Sequence, residues 1–115
     1  QSDQAASILK GLTGNSQVKW LAIIRLSSIF LDLNRPGEGV KIIPENIPEH
    51  WVGIILDRRG DAFATMGNFD AAKKDWSKAL DYYNQNGGNQ DVTRFISRKL
   101  ATIEASLNEL EVKKD

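Results

Sequence analysis

The run Leu56-Asp57-Arg58-Arg59-Gly60-Asp61-Ala62-Phe63, followed by Gly67-Asn68-Phe69-Asp70-Ala71-Ala72 and Trp76, decides the fold. Leu56, Gly60 and Phe63 recur at intervals of four and three, which sets them on one side of a helix. Gly67-Asn68 ends that helix, because glycine can supply the left-handed residue of a C-terminal cap. Beyond the break, Ala72, Trp76 and Ala79 repeat the same spacing. Small residues at Gly60 and Ala72 let two helices approach closely, so the stretch reads as an antiparallel hairpin. The pattern occurs once more, 33 residues earlier. Ile23 falls on Leu56, Ser27 on Gly60, Phe30 on Phe63, Asn34 on Gly67, Gly39 on Ala72 and Ile43 on Trp76. Residue class is kept at almost every step, the mark of a repeat protein.

Outward from this hairpin, helix signals are strong and strand signals weak. From Gln17 to Leu33, eleven of seventeen positions are Val, Trp, Leu, Ala, Ile or Phe. Apolar residues on nearly every side predict a helix buried by more than one neighbour, and Ser16 suits its N-cap. Asn34-Arg35-Pro36-Gly37 ends it, and a short helix from about Pro36 to Ile43 follows. Pro48 then suits the first position of a helix from about Glu49 to Met66. Another helix spans about Phe69 to Tyr83, and Asn84 to Gln90 is the clearest linker. In the last helix, starting near Asp91, Ile96, Leu100, Ile103, Leu107 and Leu110 are spaced as in the seam of packed helices. The expected organisation is one all-α domain. It comprises a leading helix (1–15), a degenerate repeat (16–48), a second repeat (49–86) and a capping helix (91–113).

A chain of 115 residues suits a single domain. Fifteen basic residues balance fifteen acidic ones, and neither half of the chain carries one sign. A nucleic-acid binder would show a basic excess, so nucleic acid is not an expected partner. The absence of cysteine excludes disulfides, thiolate metal sites and thiol nucleophiles. The longest charge-free hydrophobic stretch of the first half, Leu26 to Leu31, falls far short of the ~20 residues that cross a bilayer. The first residue is Gln1 rather than methionine, which leads us to expect a fragment lacking an N-terminal membrane anchor.

Leu56, Gly60, Phe63, Gly67, Ala72, Trp76 and Ala79 carry a resemblance to the tetratricopeptide repeat, at that family's spacing. The unit from about Gly53 to Asn86 matches well. The one before it is degenerate, with Gly39 for the usual alanine and Pro44 cutting its second helix short. Over about Val18 to Leu107 the chain also resembles the C-terminal half of the YfgM family, ancillary subunits of the bacterial SecYEG translocon. The runs 58–63 and 67–72, Trp76, the Trp51 that follows a short broken helix and the run 98–103 carry that likeness. It implies a tetratricopeptide-like α-α superhelix with a C-terminal capping helix. It also implies a non-catalytic scaffold at the periplasmic face of the bacterial inner membrane, with translocon subunits and a membrane-anchored periplasmic chaperone as partners. The family register places Leu21, Ile24, Ser28, Leu31 and Asp32, then Ile54, Asp57, Asp61, Ala64 and Thr65, on a concave partner-binding groove. The final helix either fills that groove or leaves it open. A cytosolic tetratricopeptide adaptor is the alternative.

Catalytic signals are thin, and no cofactor is expected. His50 is the only histidine, and its place at a helix start suits a surface or capping role. One histidine without cysteine leaves a zinc site only carboxylates. Asp57 and Asp61 lie one turn apart and could do acid–base work, the reading from another class, an enzyme. Arg58 and Arg59 would more simply pair with them. Lys73, Lys74 and Lys78 interleave with Asp70, Asp75 and Asp81 as a solvated face. Phe30, Phe63 and Trp76 are core residues by register, whereas Trp20 and Trp51 read as either packed or partly exposed. In the last helix, Ile103, Leu107 and Leu110 either fold back on the domain or pair with a second helix, which would make a weak homodimer.

Overall fold

The computed structural model describes residues 16–113, so the expected leading helix lies outside the described residues. Five α-helices follow one another and no strand occurs among the described residues: α1 (Ser16–Asp32), α2 (Pro36–Lys41), α3 (Val52–Thr65), α4 (Phe69–Gln85) and α5 (Gln90–Lys113). Each packs on the next, α3 most extensively on α4. None of these helices is long and apolar enough to cross a membrane.

The repeat is visible in the backbone itself. Asn34 and Gly67, equivalent at the 33-residue lag, are both left-handed, with φ of 58° and 80°. The Arg35 N–H donates to the Phe30 carbonyl at 2.7 Å, and the Asn68 N–H to the Phe63 carbonyl at 2.9 Å. These are the same helix-ending bond at equivalent places. A third copy closes α4, where Gly87 has φ 70° and the Gly88 N–H donates to the Tyr83 carbonyl. Asn68 starts α4 by accepting from the Ala71 N–H.

Three element boundaries differ from expectation. α2 ends at Lys41 rather than near Ile43. Glu49–Trp51 forms a separate 3-10 turn ahead of α3. Pro48 is extended, and its carbonyl receives the Trp51 N–H, which closes a tight turn rather than a helical one. α4 runs on to Gln85, two residues into the expected linker; α5 starts at Gln90, next to the expected Asp91, where the Asn89 carboxamide accepts from the Asp91 N–H at 2.7 Å.

Two apolar cores flank α3. Trp20, Ile23 and Ile24 of α1 enclose Ile55 on one side. Leu56, Ala72, Trp76, Ala79, Ile96 and Ile103 join α3, α4 and α5 on the other, with Phe63 packed partly buried against them. Ile47, between the prolines, touches both. Trp20 is thus buried and Trp51 half-buried. A Cβ on Gly60 would drive into the Trp76 indole, and one on Gly39 would meet the Ser27 carbonyl at 3.3 Å. Those small residues are where each hairpin closes.

One reading of the surface needs correction. Asp75 belongs to no solvated stripe: it is 3% exposed. It accepts from Nε and Nη2 of the Arg59 guanidinium, at 2.7 and 2.9 Å, between α3 and α4. A carboxylate leaves water only for such a partner. The bond to Asp75 outweighs burial and holds Arg59 above its ordinary pKa.

Candidate functional site

The expected groove residues divide by depth. Leu21 is 49% exposed on α1, and Asp32 is exposed as well. Ser28 and Leu31 are half-buried. Ile24 instead belongs to the first core, because α3 brings Ile55 against it, and it presents nothing to a partner. On α3, Ile54 is half-buried and Thr65 exposed, its hydroxyl donating to the Asp61 carbonyl. Ala64 packs against the second core. The Arg58 guanidinium donates to the Ser28 hydroxyl at 2.9 Å, which ties α1 to α3 across this face.

Asp57 and Asp61 meet a different partner from the one expected. Arg58 and Arg59 point to Ser28 and Asp75. The Lys99 ammonium comes across from α5 and donates to Asp57 Oδ1 at 2.6 Å and Asp61 Oδ1 at 2.7 Å. It also sits 5.0 Å from the Trp76 ring centroid and 4.9 Å from that of Phe95, within cation–π range. The Trp76 indole N–H donates to the Asp57 backbone carbonyl and to Asp61 Oδ1. Burial is the largest influence on Asp57; it raises its pKa above 3.8 although the Lys99 bond pulls the other way. Burial likewise pushes the Tyr83 hydroxyl above 10.0.

Around this cluster lies an open cleft of about 450 Å³ lined by Ile54, Arg58, Tyr83, Val92, Phe95 and Lys99 together with the two carboxylates and a third, Asp91. Phe95 is 61% exposed at its rim. Sequence reasoning missed Phe95, Val92 and Lys99, which lie on α5 rather than on the repeat register. The only signal for them was position: Phe95 and Lys99 are one turn apart on the flank of the Ile96 seam.

The α5 seam also divides. Ile103 is 5% exposed within the second core, so it is not available to a second helix. Leu107 is half-buried and Leu110 is 52% exposed. His50 is exposed and edge-on to Trp51. Among the described residues no three His, Asp or Glu side chains converge as metal ligands would.

The cleft thus combines an aliphatic and aromatic lining with carboxylates, of which Asp57 and Asp61 are bound by Lys99. Comparison with curated proteins and with solved structures gave no match. Comparison with protein families matches residues 1–105 to the tetratricopeptide repeat-like domain. With hairpins whose first helices end in equivalent left-handed turns and nearly its whole length matched, the chain belongs to the tetratricopeptide repeat-like domain family.

Proposed function

We propose that this chain is a protein–protein interaction scaffold whose partner docks on the face shared by α1, α3 and α5. Tetratricopeptide repeat-like domains are typically non-catalytic scaffolds, and stacked helical hairpins present extended surfaces to other proteins. The observation that carries the reading is the cleft itself. Exposed Phe95 and half-buried Ile54 border it, exposed Leu21 holds the equivalent place to Ile54 on α1, and Asp57 and Asp61 on its floor are paired with Lys99. Large apolar side chains left open beside an ordered polar cluster mark a contact surface rather than a core.

The runs 58–63 and 67–72 resemble the YfgM family. That resemblance supports a scaffold at the periplasmic face of the bacterial inner membrane, working with translocon subunits and a membrane-anchored chaperone. Photocrosslinking in bacterial cells tests it, with the probe at Leu21 or Phe95 of the full-length protein. Adducts with translocon subunits or a periplasmic chaperone are expected. Adducts with cytosolic proteins alone overturn the envelope assignment in favour of a cytosolic adaptor, and none at either position overturns the docking face.

A further inference from the structure

Lys99 is seated like a ligand. Its ammonium meets two carboxylate oxygens from residues one turn apart on α3, and two aromatic rings from α4 and α5 border it. The remaining basic group of the cleft, Arg58, is engaged with Ser28. We infer that Asp57, Asp61, Trp76 and Phe95 form a binding site for a primary ammonium group, filled by Lys99 in the free protein and open to a lysine of the docked partner. The inference rests on the docking face proposed above and names the chemistry of what docks there: a segment with a lysine beside apolar residues.

Three features support exchange at this site. α5 is anchored by Ile96 and Ile103, both buried, and Lys99 lies on the flank of that seam. Its side chain can therefore swing out while the helix stays in place. Phe95, the outer wall, is 61% exposed, so no packed side chain has to move for its ring to give way. The cleft also continues past the ammonium along Ile54 and Val92, giving room for an aliphatic stem beside Lys99's own.

The geometry also selects the cation. Two single oxygens from different carboxylates converge on one point, which suits a compact ammonium with three donors. A planar guanidinium takes both oxygens of one carboxylate, as Arg59 does with Asp75 in the same protein. Departure of Lys99 leaves two neighbouring carboxylates without their cation, so the vacated site attracts another.

The test uses the whole chain, the K99A variant and n-butylammonium as probe, a copy of the lysine stem and head. The Trp76 indole N–H reports directly, since it donates to Asp61 Oδ1. Its nuclear magnetic resonance signal is expected to shift saturably with n-butylammonium in K99A. Binding to the wild-type chain should be about tenfold weaker or more, because only molecules with Lys99 swung out can bind. Adding Asp57→Asn and Asp61→Asn should abolish the shift. Tetramethylammonium, which carries the charge but no N–H, should not produce it. No saturable shift in K99A, or an equal one with tetramethylammonium, overturns the site; equal affinity in wild type overturns the exchange. If K99A fails to fold, K99M with methylammonium gives the same readout. Crosslinks at Leu21 that survive Asp57→Asn with Asp61→Asn unchanged overturn the ammonium site alone, whereas absence of crosslinks in the wild type goes against the docking face.

Discussion

Three side chains carry more of this molecule than their positions in sequence suggest. Asp75 is a buried carboxylate held by both arms of Arg59. Removing one partner of such a pair strands the other, so D75N should cost about 3 kcal/mol in a urea melt. Replacing both with apolar residues should recover much of that, since the stranded charge goes as well. Asp57 makes a pH prediction. Burial holds its pKa above 3.8 in the folded chain, so over the range above that value the native state binds more protons than the unfolded one. Its contribution to stability therefore grows as pH falls and is lost as pH rises. Wild type should gain stability relative to D57N on moving from neutral to mildly acidic pH. A constant difference between the two would contradict the shift. Neither Asp75 nor Asp57 was legible as such in the sequence: a carboxylate on a helix reads as solvated until a partner is brought to it from another helix.

Among the elements, the glycines separate two causes of the same residue choice. Gly60 is required by space, since any side chain meets the Trp76 indole. G60A should cost about 1–3 kcal/mol through overpacking. Gly67 has nothing near it but a φ of 80°, so G67A should cost about 1–2 kcal/mol through backbone strain. Thermal melts of the two, each paired with W76F, distinguish them. Shrinking the indole relieves G60A and leaves G67A unchanged. Both positions were legible in the sequence, because a small residue between two large apolar ones, and a glycine after an apolar run, each have one ordinary structural meaning. The 3-10 turn before α3 was not, since helix and 3-10 turn share their first residues.

For the whole molecule, α3 is the shared wall of two cores and α5 closes the second. The seam of α5 reads as continuous from Ile96 to Leu110, yet only part of it is covered. I103A should cost about 2–5 kcal/mol, as removing a buried aliphatic side chain does. L110A should change stability by no more than about 0.5 kcal/mol. A large effect of L110A that depends on protein concentration would show a second helix covering that end. α4 spans 17 residues and α5 24, so the last turns of α5 extend beyond what α4 can cover.

The helices, the left-handed turns that end them and the repeat were legible in the sequence, because each follows from residues a few positions apart: a spacing of apolar side chains, a small residue, a glycine or asparagine after an apolar run. The sequence also determined which residues of each hairpin face one another, since the 33-residue lag repeats that facing. The site, by contrast, comes from packing between distant segments. Lys99 lies 42 positions from Asp57 and 38 from Asp61, and nothing local in α5 marks it apart from other lysines. Which carboxylate it meets, which groove residue is sealed by Ile55, and where the α5 seam runs out of cover depend on how α5 lies across α3 and α4. That placement is set by the summed packing of Trp76, Ala79, Ile96 and Ile103, a property of the assembled core and of no single segment.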